Sequence, residues 1–433
     1  MPESLTILED LGRYETRAMH GQMPIVWDRA KDFQVWDRWG NCWLDFTSTI
    51  FVANAGHANQ HITDAVKAAL DADLVHSYSY ATEIRASYLK RLVAAAPEGV
   101  GKAYLMSTGT EATEAAMRVM RIHGAKTGKG PGIISFDGSY HGRTLGAALM
   151  SGTEDSRRWI GHDDPNHHRF AFPFQRPCGD NTDWAGAFQA ELAALRDRGI
   201  DPARDISGFL LETYIGWAAA FFPVDYVRAL SDFAQQHGLV VAFDEVQSGF
   251  GRTGRLFGFE HYGVEPDLIC CGKGIGNGLP LSSLLGSAEL LDLPETGLLS
   301  STHSANPLVC AAGLATLEEL ERRNLVAESA RKGQRLLARL NRLQGRHPDR
   351  IAQVNGKGLV AAIILADPAN GEPDGATASR ICEAAMRKGV LFVHTGRESI
   401  KFGPPLTITD AALEEGLDVL DEIVDGLDGG AAA

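Results

Sequence analysis

The sequence predicts an α/β protein with a parallel-sheet core and a second domain assembled from both ends of the chain. Three observations lead there. Short, non-alternating apolar runs recur through the middle of the chain, helical patterns separate them, and the two ends carry a different mixture of alternating and helical segments.

Pro24 to Phe46 alternates apolar and polar residues around Trp39-Gly40-Asn41, which predicts antiparallel strands joined by a turn. Lys102 to Met106 is a strand-like run, followed by a helical pattern over 111–124 and a second run at Gly132 to Phe136. Gly208 to Leu211 comes next, then a helix over 225–238, the run Leu239 to Phe243 and the run Asp267 to Cys271. Beyond Pro307 a long helical stretch covers 314–344, with strands at Leu359 to Leu365 and Val390 to His394, and helices at Thr377 to Lys388 and Ala411 to Val424. The expected division is a large domain over 61–318, with 1–60 and 319–433 forming the smaller one. Residues 426–433 read as a frayed tail.

The chain has 433 residues, 44% hydrophobic and 22% charged, ample for two cores, and its net charge of −14 argues against nucleic acid or an anionic membrane surface. No apolar run approaches the roughly 18 residues of a membrane span, and the N-terminus lacks a secretory pattern. Cys42, Cys178, Cys270, Cys271, Cys310 and Cys382 are scattered without a C-x-x-C pair, as expected of buried thiols in a reducing compartment. A cytoplasmic protein is expected. Glycine, at 47 residues, exceeds the roughly 7% average without any repeat to explain it, so glycines are expected where backbone turns or closely approaches something.

Four segments carry candidate chemistry, each at a strand end, where ligands collect in open parallel sheets. In the segment from Val241 to Gly254, Asp244 and Glu245 close a buried strand. Asp244 is either a carboxylate facing a cation or a cap paired with Arg252 or Arg255. Lys273 stands among Gly272, Gly274, Gly276 and Gly278, where a desolvated amine becomes a nucleophile toward carbonyls. The segment matches neither common phosphate-loop template. Thr108 and Glu111 have capping-box spacing, which leaves the N–H groups of Gly109 and Thr110 for an anion, or simply for capping. Tyr140 offers a stacking ring and Arg143 a bidentate cation; packed and solvated roles are the plainer alternatives. Together, an anion cradle, a ring, a cation, an acid and a lysine at successive strand ends are what pyridoxal 5′-phosphate needs.

The stretch D-E-V-Q-S-G-F-G-R-T-G, the lysine that follows it, S-T-G-T-E-A, Y-H-G-R-T and Ser301 to Pro307 resemble the class III aminotransferases of the fold type I pyridoxal-phosphate enzymes. The likeness runs from about Tyr14 to about Gly426, and within the family it is to the 4-aminobutyrate and related ω-aminotransferases. It implies a large domain with a mostly parallel seven-stranded sheet, and a smaller α+β domain from both termini. It implies that Lys273 binds the cofactor covalently and shuttles the proton, that Asp244 pairs with the pyridine nitrogen, and that Gln247 lies near the phenolic oxygen. It further implies that Gly109 and Thr110 hold the phosphate, Tyr140 stacks on the ring, Glu212 orients groups around it, and His141 and Gly142 complete a turn. Thr302 is implied to reach the phosphate of a neighbouring subunit, so that a homodimer shares its active sites.

Two positions depart from the family pattern. Members that use 2-oxoglutarate commonly carry a salt-bridged Arg and Glu gate where this chain has Lys401 and Trp217. Lysine keeps the charge but not the fork, and tryptophan cannot form the bridge. Arg143 matches the arginine that meets the distal carboxylate in ω-amino-acid users. The implied substrate is therefore an amine or ω-amino acid held against Trp217, Phe51, Tyr78 and Tyr80, with Arg143 and Lys401 toward an acid group. Its amino group passes to a keto acid, pyruvate or 2-oxoglutarate, by a ping-pong mechanism. A racemase or epimerase, a decarboxylating transaminase of the same fold, and a non-catalytic cofactor-binding protein are the alternatives. The cluster from His162 to His168 reads as a solvated loop, not a metal site; EELERR reads as a solvated helix face, and Trp27, Trp36, Trp39 and Trp43 as core and dimer surface.

Overall fold

The computed structural model describes residues 2–19, 23–174, 182–299 and 301–427. Cys178 and most of the expected C-terminal tail lie outside them. Seven strands form the central sheet: β1 (Lys102–Met106), β2 (Gly132–Phe136), β3 (His167–Phe170), β4 (Ile206–Glu212), β5 (Val240–Asp244), β6 (Leu268–Cys271) and β7 (Ser282–Gly286), in the spatial order β1-β7-β6-β5-β4-β2-β3. The pairs β2–β3, β2–β4, β4–β5 and β5–β6 are parallel, whereas β7 is antiparallel to both neighbours. Every residue of β2, β4, β5, β6 and β7 is buried, which is why their sequences run apolar without alternation.

The helix Gly109–Lys126 covers one face of the sheet, burying Ala112, Ala115, Ala116, Val119 and Met120 at helical spacing. The helix Val224–His237 closes on Gly238 in the left-handed conformation and buries Tyr226, Val227, Leu230 and Phe233. These helices put the connections leaving the C-terminal ends of the strands along one edge.

The N-terminal strands Arg29–Lys31, Gln34–Trp36 and Cys42–Asp45 are antiparallel, as expected, and the sheet continues in parallel to Val390–Leu391 from the other end of the chain. The expected strand Val390 to His394 is two pieces: Val393–His394 turns away to join Ile351–Lys357, Val360–Leu365 and Ser399–Phe402 in a separate antiparallel sheet. The long C-terminal helix is likewise two, Pro307–Arg322 and Leu325–Arg346, broken where Asn324 takes a positive φ.

Three expectations change. His167 and His168 open the buried edge strand β3 and are not in a solvated loop. Glu319 of the EELERR run is buried, its carboxylate accepting from Asn59 Nδ2 at 2.9 Å and from Arg322. Cys42 is exposed, while the other described cysteines are buried. Among the described residues no helix is long and apolar enough to cross a membrane, and no group of three or more His, Cys, Asp or Glu is placed to hold a metal ion.

Candidate active site

The strand ends bring the predicted residues together. Asp244 and Glu212 end β5 and β4 as register partners, so two carboxylates stand side by side at the sheet edge. Asp244 Oδ2 lies 2.8 Å from His141 Nδ1, and Oδ1 accepts from the Val246 N–H at 3.0 Å. The carboxylate therefore caps its own turn and also faces a histidine; Arg252 is engaged elsewhere. His141 is buried and held on three sides, since its N–H donates to Ser151 Oγ at 2.7 Å and its carbonyl accepts from Thr113 Oγ1 at 2.8 Å. A carboxylate opposite Nδ1 keeps the proton on that nitrogen, leaving Nε2 buried without a partner.

Burial pushes the Glu212 carboxyl up to about 7, with His141 opposing and Asp244 adding to the shift. Its Oε2 accepts from the Tyr140 N–H at 2.9 Å and the Gly216 N–H at 3.4 Å, which ties the β2 connection to the end of β4.

Lys273 follows β6 with a φ of +44°, in a one-turn 3-10 helix. Burial lowers its ammonium pKa, while the Asp244 and Glu212 carboxylates pull the other way. Its Nζ has no hydrogen-bond partner among the described residues, so a polarised amine stands beside two acids and bonds to neither.

A second lysine joins it. Lys401, on Ser399–Phe402, is 4% exposed; its Nζ donates to Gln247 Oε1 at 3.0 Å and sits 4.4 Å from the centroid of the Phe51 ring. Burial, then the charge on Lys273, push it down to about 7. Phe51 also faces Arg252, whose guanidinium carbon is 5.4 Å from the ring centroid. Fully buried, Arg252 donates to the carbonyls of Leu359 at 2.9 Å and Pro404 at 2.6 Å, to Ser48 Oγ at 3.1 Å and to Asn54 Oδ1 at 2.7 Å.

That network holds a strained backbone. Ser48, Thr49, Ile50 and Phe51 have φ values of 46, 52, 63 and 66°, one left-handed turn without glycine, at a cost of about 1–2 kcal/mol per residue. Ser48 Oγ anchors the turn by donating to the Gly403 carbonyl at 2.6 Å, and a Cβ on Gly403 would lie 1.7 Å from the Phe51 ring. Phe51 reaches the site only because residue 403 has no side chain.

The anion cradle is also built. Thr108 and Glu111 form the expected capping box, and the N–H groups of Gly109 and Thr110 open an 18-residue helix where no intrahelical acceptor exists for them. A Cβ on Gly109 would lie 2.8 Å from Val246 Cγ1, and one on Gly142, at a φ of +139°, 2.2 Å from Thr110 Oγ1. Tyr140 is exposed, with the Arg143 guanidinium 5.5 Å from its ring centroid. Trp217 lies beside this cluster, since the preceding Gly216 contacts Glu212; its carbonyl accepts from Ser399 Oγ at 2.9 Å. Lys401 bonds Gln247 and makes no bridge to position 217.

Tyr78, Tyr80 and Thr302 are exposed. His76 Nε2 meets the Thr302 carbonyl at 2.9 Å, and Arg85 donates to the Tyr78 carbonyl at 3.2 Å. Sequence reasoning missed His141 as the partner of Asp244, Val246 as the wall of the cradle, Arg252 as the clamp, and Arg397, which lies over Trp217. Arg397 stands in the bend before the strand Ser399–Phe402, where no periodicity marks it.

The donor set fits pyridoxal 5′-phosphate: helix N–H groups for the phosphate, a histidine-backed acid for the ring nitrogen, a ring and a valine near the cradle, and an unpaired amine of lowered pKa.

A family model described as aminotransferase class-III matches residues 16–424. A 4-aminobutyrate aminotransferase of Mycobacterium tuberculosis is 35% identical over 416 residues, covering 92% of this chain and 90% of that protein. A 2-aminoadipate transaminase of Pseudomonas putida is 34% identical over 413 residues, covering 92% and 95%. Among solved structures, a thermostable (S)-enantioselective omega-transaminase from Thermomicrobium roseum superposes with a TM-score of 0.87 at 25% identity, covering 97% of this chain and 98% of that one.

Proposed function

The chain belongs to the class III aminotransferases, pyridoxal-phosphate enzymes of fold type I, and from that premise we propose that it takes the amino group of an amine or ω-amino acid and passes it to pyruvate or 2-oxoglutarate. The observation that carries the reading is the half-buried Lys273 amine, without a hydrogen-bond partner among the described residues and within the field of Asp244 and Glu212.

When bound, pyridoxal phosphate supplies an aldehyde that accepts the amino group and a ring that stores the electrons of the broken C–H bond. Gly109 and Thr110 would hold its phosphate, Tyr140 would stack on the ring, and Gln247 would stand near the phenolic oxygen. Asp244, oriented by His141, would face the ring nitrogen and favour its protonated form. Glu212 fixes the Tyr140 backbone, and hence the turn that presents both Tyr140 and His141. Lys273 Nζ, whose ammonium form burial disfavours, would take the proton from the substrate carbon and return it at the second position. Phe51 and Trp217 wall the substrate space, and Arg143 with Lys401 offers positive charge to an acid group.

Thr302, Tyr78 and Tyr80 are exposed in the single chain, which supports a homodimer whose partner completes the site. The central sheet supports 61–318 as the cofactor unit, with 1–60 and 319–433 as the smaller one. The unpaired cysteines support a cytoplasmic setting.

The test is a single-donor incubation of the cofactor-loaded protein, followed by its absorption spectrum. Conversion to the amino form of the cofactor by ω-amino acids, reversed by pyruvate or 2-oxoglutarate, supports the reading. Inversion of an amino acid's configuration without net conversion contradicts it and favours an epimerase.

A further inference from the structure

Arg397 precedes the strand Ser399–Phe402 that carries Lys401 into the site. Strand residues two apart share a face. Lys401 uses that face to reach Gln247, and Ser399 uses it to reach the Trp217 carbonyl. Arg397, in the bend before the strand, reaches the same tryptophan: its guanidinium carbon lies 3.9 Å from the centroid of the Trp217 ring. Lys401 is buried, whereas Arg397 is exposed.

The guanidinium is only partly engaged. Its side chain is 45% exposed, and Nη2 meets Glu398 Oε1 at 3.3 Å. Among the described residues Nε and Nη1 have no acceptor, so the planar donor edge is free while the flat face rests on the indole. A cation held over an aromatic face loses little conformational freedom when it binds, and its fork matches a carboxylate. Gly216, the neighbour of Trp217, lies against the groups of the site: a Cβ on it would be 2.8 Å from Glu212 Oε1 and 3.7 Å from Gln247 Oε1.

We propose that Arg397 is a specificity-determining residue that takes the carboxylate a substrate carries furthest from its reacting carbon, with the Trp217 indole as its platform. The substrates it selects are ω-amino acids and dicarboxylic keto acids over simple amines and monocarboxylic keto acids. The inference rests on the aminotransferase reading above and adds Arg397 to Arg143 and Lys401 as a cation for the acid group.

The test compares the cofactor-loaded wild type with Arg397→Gln and Arg397→Lys, using an ω-amino acid and the primary amine of the same length without the acid group. Arg397→Gln should raise KM for the ω-amino acid by about tenfold or more at nearly constant kcat, and shift KM for the amine less than about twofold; Arg397→Lys should recover part of the loss. Glutarate, an unreactive dicarboxylate, supplies a second readout: it should change tryptophan fluorescence in the wild type, with the change lost in both Trp217→Phe and Arg397→Gln. Equal KM shifts for amine and ω-amino acid in Arg397→Gln, or undiminished glutarate binding, would overturn the assignment. If the wild type is not converted by any ω-amino acid, the functional reading fails instead, and glutarate binding still decides the role of Arg397.

Discussion

Lys401 Nζ donates to Gln247 Oε1 at 3.0 Å, and this neutral amide, with the face of Phe51, stands where a buried ammonium ordinarily finds a carboxylate. Its charge is sustained weakly enough that burial and Lys273 together push it down to about 7.

Stability of the cofactor-free protein should therefore depend on pH. Between about 7 and the ordinary lysine value of 10.5, the unfolded chain keeps a proton that the folded Lys401 has lost. Unfolding then takes up protons, so this group makes stability rise with pH across that window. Glu212, pushed up to about 7 from 4.5, holds a proton in the fold that the unfolded chain has released, so its contribution falls with pH from 4.5 to 7. Urea titrations at stepped pH should show the upper slope reduced in Lys401→Met and the lower slope reduced in Glu212→Gln. Lys273 and Glu245, shifted in the same directions, leave part of each slope in place.

Lys401→Met should also stabilise the cofactor-free protein at pH 6 by about 1 kcal/mol or more, since it replaces a buried charge lacking a carboxylate with an apolar chain of similar length. Thermal unfolding checks this; a lower Tm would mean that the Gln247 contact outweighs the desolvation cost.

The His141–Asp244 pair predicts a graded response. Asp244→Asn removes the charge proposed to face the cofactor nitrogen and should reduce kcat about 10³-fold, roughly 4 kcal/mol. His141→Leu leaves the carboxylate but not its orientation, and about a tenfold loss is expected. Single-turnover spectra measure both.

Gly142→Ala should weaken cofactor retention, because the new Cβ would overlap Thr110 Oγ1 at 2.2 Å and the φ of +139° resists a side chain. Dialysis against free cofactor, with circular dichroism to show an intact fold, should reveal a drop of at least about tenfold in affinity.

Arg252→Met should cost more than about 3 kcal/mol of stability, because it abandons four buried acceptors and releases the turn carrying Phe51. Urea unfolding of the cofactor-free protein separates this structural role from any effect on the cofactor.

Lys273, Asp244 and the Gly109–Thr110 cradle were legible in the sequence because each follows a short apolar strand and is framed by glycine or a capping pair, all local signals. His141 was not, since its partner Asp244 is 103 positions away and nothing near either residue marks the pairing. The left-handed turn at Ser48–Phe51 contains none of the residues that favour such a conformation; Arg252 and Gly403 impose it from distant segments. The strand at His167–Phe170 escaped because an edge strand opening on two histidines lacks the apolar run that marked its neighbours. Glu319 was misread because Asn59, a partner 260 positions away, makes its burial tolerable.

Lys273 is proposed as the residue that binds the cofactor and moves the proton. The most direct measurement is the absorption spectrum of purified wild type and Lys273→Ala, each loaded with pyridoxal phosphate and then given an ω-amino acid. The account predicts a lysine-bound cofactor band in the wild type that the donor converts and a keto acid restores, with neither the band nor catalytic conversion in Lys273→Ala. An unchanged band and turnover in Lys273→Ala would contradict it.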